Sequence, residues 1–201
     1  GRVVAGAGPV ARRERLAPLV VESFDWGHGV YLGATVASER TAAQVGRVGE
    51  VRRDPMAMLP FCGYNMADYF AHWLEMGKRI PKPPKIFHVN WFRKNAQGKF
   101  LWPGFGENLR VVEWILSRCH GEGKAQKTPI GYLPTRDALD MTGLNLPPTT
   151  MDQLLSIDRS EWSKEAESHK KFFDGFDGRA PAELLRQQAA LRERLKEVVS
   201  A

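Results

Sequence analysis

Five aromatic side chains crowd the segment NWFRKNAQGKFLWPGFGEN, residues 90–108: Trp91, Phe92, Phe100, Trp102 and Phe105. Asn95, Gly98, Pro103, Gly104 and Gly106 interrupt them as turn formers, and Arg93, Lys94 and Lys99 add positive charge. A surface loop has little reason to carry so many rings. Burial in the core is the ordinary fate of an aromatic side chain, and Trp91 and Trp102 are read that way. The grouping of the other three suggests a different chemistry. Phe92 closes a strand, Phe100 follows a basic tip, and Phe105 lies between two glycines that let the backbone come close to a ligand. Two such rings could hold a planar base, at ~1–3 kcal/mol per stack and with no selectivity, because every base has a π face. Selectivity needs a group at the ring edge, and the amide of Asn108 offers a donor and an acceptor together. The segment thus permits an aromatic clamp for a purine with an edge reader behind it.

Two further stretches bear on phosphate and on closure. Arg12 and Arg13 stand just before a strand, with Arg15 after them, and guanidinium groups match phosphate with paired hydrogen bonds. A solvated basic terminus is the alternative. Residues 38–54, SERTAAQVGRVGEVRRD, are small, polar and glycine-containing, with no sustained apolar face. A loop of that length is either a lid over a site or a plain surface loop.

These groups need a scaffold. PLVVESF (18–24), GVYLGATV (29–36) and KIFHVNWF (85–92) are short and apolar, the first two β-branched and bounded by Pro and Gly, and read as strands. Asn65 reads as an N-cap with Asp68 three residues on, and Met66, Tyr69, Phe70 and Trp73 follow at helical spacing until Gly77. KRIPKPPK (78–85) reads as a non-helical connector. From Asn108, the residues Val112, Ile115, Leu116 and Cys119 mark a helix face that ends at Gly121. Thr150 with Gln153 suggests a capping box for a short helix. Residues 160–174 and 181–199 read as amphipathic helices, the second with Pro181 in its first turn and Leu184, Leu191, Leu195 and Val198 on one side. The expected fold class is α/β, mixed α and β, ending in amphipathic helices.

The chain has 201 residues, 43% of them hydrophobic and 26% charged, with a net charge of +6. That is an ordinary globular composition with room for one domain and a sizeable core. The basic balance favours anionic partners without choosing among nucleic acid, nucleotides, small acids and an acidic membrane surface. No apolar run approaches ~18 residues, so no membrane span is expected. The N-terminal stretch does not read as a signal peptide. The two cysteines, Cys62 and Cys119, form no C-x-x-C pair and suit a reducing compartment. His28, His72 and His88 stand singly on or beside apolar elements, without the two-histidine spacing of a metal site.

The runs RRDPMAMLPFCGYNMADYFAHWL (52–74), PKIFHVNWFRKNAQGKFLWPGFGENLRVVEWI (84–115) and TPIGYLPTRDALDMTGL (128–144) strongly resemble the C-terminal region of GTP-dependent phosphoenolpyruvate carboxykinases, and FDWGHGVYLGATVASERTAA (24–43) fits as well. The similarity spans roughly residues 11–198. It leaves 1–10 unmatched and makes 11–201 a guanine-nucleotide-binding portion, with a lid at 40–51 and a helical tail at 150–199. The resemblance implies an enzyme of gluconeogenesis that interconverts oxaloacetate plus GTP with phosphoenolpyruvate, GDP and CO₂. It implies Mn²⁺, a second divalent ion such as Mg²⁺ on the nucleotide, a cytoplasmic location and a monomer when complete. Phe92, Phe100 and Phe105 match the family's guanine-binding phenylalanines, two sandwiching the base and one bordering it. Asn108 matches the reader of the guanine edge, and Phe105, Gly106, Glu107 and Asn108 form the purine-contact turn. Arg12 matches the first arginine of a Gly-Arg-Arg phosphate contact. Arg40, Thr41 and Arg47 fall in the lid.

The sequence departs from the family's pattern in places. Ala11 stands where the family has glycine, and Ala37 where some members have arginine. No G-x-x-x-x-G-K-[ST] phosphate loop occurs in the chain, and no match to the family's metal ligands is found. The expectation is a portion with the base clamp and lid but without the metal centre, inactive alone. Two other readings compete: a noncatalytic remnant with exposed apolar strands such as 29–36, and a basic, aromatic module for single-stranded nucleic acid. Against the latter, the rings lie in one short segment rather than spread over strands, and no nucleic-acid partner is expected.

Overall fold

The computed structural model describes residues 4–6, 16–39 and 51–197. Its strands are β1 (Val4–Gly6), β2 (Val20–Glu22), β3 (Ala37–Glu39), β4 (Val51–Arg53), β5 (Ile86–Val89), β6 (Ala125–Thr128) and β7 (Gly131–Pro134). Its helices are α1 (Trp26–Ala34), α2 (Met66–Arg79), α3 (Asn108–His120), α4 (Pro148–Leu155), α5 (Arg159–Asp174) and α6 (Ala182–Lys196). The five-stranded sheet has the order β1-β5-β2-β7-β6. β1 runs parallel to β5, and the other neighbours pair antiparallel, with Val20 opposite Val89, Glu22 opposite Tyr132 and Ala125 opposite Pro134. β3 and β4 make a separate antiparallel pair.

Strand side chains alternate between faces, so a sheet with two apolar faces needs two covering layers. β2 shows this directly: Val20 belongs to one buried cluster and its neighbour Val21 to the other. Val21 and Leu133 meet Val30 and Tyr31 of α1, Phe70 of α2, Trp162 and Phe173 of α5, and Leu184 and Leu191 of α6. On the opposite face Val20, Phe87 and Val89 meet Val111, Trp114 and Ile115 of α3 and Met151, Leu154 and Leu155 of α4. The expected α/β class is what the structure has.

Four expectations are corrected. Residues 29–36 are not a strand but belong largely to α1. Asp25 starts that helix by accepting from the His28 N–H at 2.7 Å, and Gly29 lets it lie against β5, where a Cβ would stand 2.4 Å from Ile86 Cδ1. The apolar run is therefore covered, which removes the case for a remnant with an exposed strand there. Gly77 does not end α2, which runs on to Arg79; its missing side chain instead admits the Trp26 indole, 2.1 Å from where a Cβ would be. Thr150 is not the cap of α4, which starts at Pro148, so Thr150 N–H already donates to Pro147 O at 2.9 Å. In α3 the buried face is Val111, Trp114 and Ile115, while Val112 and Leu116 are exposed.

Other expectations hold. Asn65 caps α2 by accepting from the Ala67 N–H at 2.8 Å. Gly121 ends α3 in the left-handed conformation at φ 85°. Leu184, Leu191 and Leu195 are the buried face of α6, and Val198 lies outside the described residues. The 38–54 stretch enters and leaves through β3 and β4, and residues 40–50 between them lie outside the described residues.

Candidate functional site

The segment 90–108 is held from below by polar ties. Asn90, 3% exposed, donates from Nδ2 to Ala17 O at 2.8 Å and accepts from the Phe92 N–H at Oδ1. Strand β5 thus ends at Val89, and the chain turns before Phe92 rather than at it. Arg93 is not part of a basic tip. It is 6% exposed and donates to Leu154 O at 3.1 Å, Ser156 O at 3.0 Å and Ser156 Oγ at 2.8 Å, so it pins the segment to the end of α4. Burial lowers its pKa to about 10, which leaves it charged at neutral pH. Beyond it, Asn95 Oδ1 accepts from the N–H groups of Gln97 and Lys99, an Asx turn that reverses the chain so that Phe100 pairs back to Lys94.

The three phenylalanines differ in surroundings. Phe92 is half-buried and meets Phe100 edge-on, with ring centroids 6.2 Å apart and an interplanar angle of 65°. Those two rings do not stand parallel. Phe100 is 52% exposed, with Lys94 Nζ 4.9 Å from its centroid. Phe105 is 96% exposed. It opens a 3₁₀ turn, Phe105–Glu107, whose preceding residue Gly104 has φ 110° and ψ −153°, a conformation that L side chains rarely adopt. That glycine is what lets the chain lift Phe105 off the body before α3 begins. Trp102, by contrast, is 2% exposed, and Trp91 packs beside it at 6.4 Å, as expected for core rings.

Asn108 is the first residue of α3 and half-buried. Its Oδ1 accepts from Trp102 Nε1 at 2.9 Å. Glu107 pairs with Arg110 at 2.5 Å, and Arg110 also donates to Asp140 O and Thr142 O at 2.6 and 2.9 Å, fixing the start of α3 against the 140–142 loop. Gly106 is exposed, with nothing within 4 Å of where a Cβ would be. The structure thus brings Phe92 and Phe100 into contact and sets Phe105, Gly106, Glu107 and Asn108 on the turn that opens α3. Arg12, Arg40, Thr41 and Arg47 lie outside the described residues.

Sequence reasoning missed two buried charge networks. Glu22, 3% exposed, accepts from Lys85 Nζ at 2.6 Å and Arg118 Nε at 2.5 Å. Arg53, at the end of β4, donates to Thr35 O, Glu165 Oε1 and Ser168 Oγ at 2.9, 2.8 and 2.6 Å, and His169 bridges Glu165 to the Tyr31 hydroxyl. Little local marks these pairs, whose members are 63 to 138 residues apart except His169 with Glu165, 4 apart, and Arg53 with Thr35, 18 apart. A cavity of about 20 Å³ lies beside the second network, lined by His28, Tyr31, Thr35, His88 and His169 among others, with room for a water and not for a nucleotide.

The described residues do not fit a divalent cation. No three His, Cys, Asp or Glu side chains among them gather as ligands, and the buried carboxylates Glu22 and Glu165 already face cations. His28 Nδ1 accepts from the Phe24 N–H at 3.0 Å, and burial, with Arg194 nearby, lowers its pKa to about 3. Among the described residues no helix is long and apolar enough to cross a membrane.

Comparison with known proteins fits this architecture. A family model described as the phosphoenolpyruvate carboxykinase C-terminal P-loop domain matches residues 9–194. The chain belongs to the phosphoenolpyruvate carboxykinase family. Similar curated relatives, each named phosphoenolpyruvate carboxykinase [GTP], include those of Anaeromyxobacter sp. (strain K), 51% identical over 185 residues, and Thermoplasma volcanium, 50% identical over 184 residues. The relative from Neocallimastix frontalis is 50% identical over 188 residues. Each match covers 92% of this chain, which spans 31% of the relative's length.

Proposed function

We propose that residues 92–108 hold the base of a guanine nucleotide, and that the chain serves a GTP-dependent phosphoenolpyruvate carboxykinase as its base-binding portion. The observation that carries this reading is Phe105, a ring left 96% in solvent three residues before an amide tied to the buried Trp102. The Phe105 ring is free on its faces, and a base stacked on one of them takes that face out of water. Phe92 and Phe105 supply the two faces, and Phe100, edge-on to Phe92, borders the base. Asn108 reads the edge. The GTP in the relatives' names supports a guanine nucleotide as the ligand.

The reaction is that of the family: oxaloacetate and GTP give phosphoenolpyruvate, GDP and CO₂. Divalent ions would supply charge neutralisation in that reaction, and the described residues hold no fitting ligand set for them. This chain's part is to fix the nucleotide by its base, so that binding energy remote from the phosphates orients the transferring group. Arg12 would meet phosphate, and Arg40, Thr41 and Arg47 would lie in a lid that excludes water. The whole enzyme is proposed to be cytoplasmic and monomeric, acting on small molecules.

Titration of GTP followed in ¹H–¹⁵N spectra tests the base site. The amides of Gly104, Gly106 and Asn108 should shift with GTP and less with ATP. Shifts confined to other residues, or none at saturating GTP, would reject it.

A further inference from the structure

We propose that Trp102 is a positioning residue for base selection: its indole holds the Asn108 amide with Oδ1 inward and Nδ2 outward, so that Asn108 meets a base as a hydrogen-bond donor. The proposal rests on the reading of the segment as a guanine site. An asparagine amide is ambivalent, since its two ends look alike in shape and a half-turn exchanges donor for acceptor. An indole N–H is not ambivalent; it only donates. Trp102 Nε1 stands 2.9 Å from the amide, so the atom facing it must be the oxygen. Turning the amide over would set two donors against each other with the indole buried, which leaves a buried N–H without an acceptor.

The lock is firm because Trp102 itself cannot move. It is 2% exposed, packs against Trp91 and belongs to the buried cluster that α3 and α4 build on the sheet. Asn108 is held at its backbone as the first residue of α3. With Oδ1 used, Nδ2 is the arm left for a ligand. Guanine presents the O6 acceptor where adenine presents the N6 amino donor. An outward donor accepts the first and opposes the second. The stacks contribute affinity to any base, and the indole behind the amide turns that affinity into a choice.

Calorimetric titration with GTP and ATP, on the protein in the length its gene encodes, compares wild type with Trp102→Phe and Asn108→Asp. Trp102→Phe keeps a ring in the core and removes the N–H. The ratio of GTP to ATP affinity should fall about tenfold, the worth of one oriented hydrogen bond. A purely structural role would weaken both nucleotides alike and leave the ratio in place. Asn108→Asp gives the indole an oxygen whichever way it turns and removes the outward donor. There the ratio should fall as far, while the Trp102 indole proton stays slow to exchange. If Trp102→Phe fails to fold, the aspartate variant carries the test. A wild-type preference for GTP that survives in a folded variant overturns the proposal and leaves the guanine site standing. A wild type that binds both nucleotides equally, or neither, overturns the guanine reading and the proposal with it.

Discussion

Replacing Phe105 with alanine separates binding from stability more cleanly than any other change in the segment. Because the ring is 96% exposed, its removal uncovers no core, and the stability change should stay within about 0.5 kcal/mol. Its role in binding is large by comparison. Losing one base stack costs ~1–3 kcal/mol, or roughly 5- to 150-fold in Kd. Since stacking ignores base identity, Phe105→Ala should weaken GTP and ATP by the same factor. Calorimetric titration gives the two constants and a thermal melt gives the stability. Leu185→Ala, which removes a half-exposed apolar side chain from α6, serves as the control and should change neither affinity. An unchanged Kd for GTP in Phe105→Ala would refute the stacking role. A fall of many degrees in Tm would refute the placement of the ring in solvent.

Other changes test the frame around the site. Arg93→Met should destabilise by about 1–3 kcal/mol for each carbonyl left without its donor, and Arg93→Lys should restore only part, since a single ammonium does not span Leu154 and Ser156; denaturant melts check this. Arg53→Met should cost ~3–5 kcal/mol by taking the Arg53 guanidinium away from the buried Glu165 carboxylate, and the double variant Arg53→Met/Glu165→Leu should be less damaged than the sum; strict additivity in a double-mutant cycle would count against the pair. His28 is neutral in the fold, with a pKa of about 3 against 6.5 when unfolded, so the unfolded chain gains the proton first as pH falls. Its contribution is complete above pH ~6.5 and is lost towards pH ~3, about 2 kcal/mol between pH 7 and 5, and His28→Gln should flatten that slope in urea melts.

What the sequence revealed and what it hid divide along the range of the interactions. Helices with long periodic faces, α2, α5 and α6, were legible because their pattern is local. The ring segment was legible because its composition is abnormal for a loop. Residues 29–36 were misread because Val30, Tyr31, Thr35 and Val36 favour strands locally, while the deciding residues were Asp25 as a cap and Gly29 as the surface that meets Ile86. Asp25 was visible in the sequence; Ile86 as its neighbour across the packing was not. The face of α3 was misjudged for a related reason. Val112 and Leu116 are apolar enough for a core face, but Trp114 was the residue that turned inward, its Nε1 donating to Lys124 O at 2.9 Å. Glu22, Arg53 and Arg93 are of types that mostly stay at the surface, and they are core ties here through partners that no spacing rule connects.

Buried and exposed groups alternate within residues 90–108, and that alternation is what a preorganised site requires. Asn90, Arg93 and Trp102 are almost wholly buried and spend their polar atoms on the protein: Ala17, the end of α4, and Asn108. Phe100 and Phe105 are left out. A flexible loop with the same rings would collapse them onto the nearest apolar surface, and binding would then have to separate them again. Here the buried residues hold the backbone on both sides of the rings, so Phe105 stays in water because its neighbours, not its own contacts, decide where it is. The exposure of the ring is therefore maintained by the core beneath it. That is the sense in which α4, with no exposed ring of its own, belongs to the site: Leu154 O and Ser156 O hold Arg93, and Arg93 holds the turn from which the rings project.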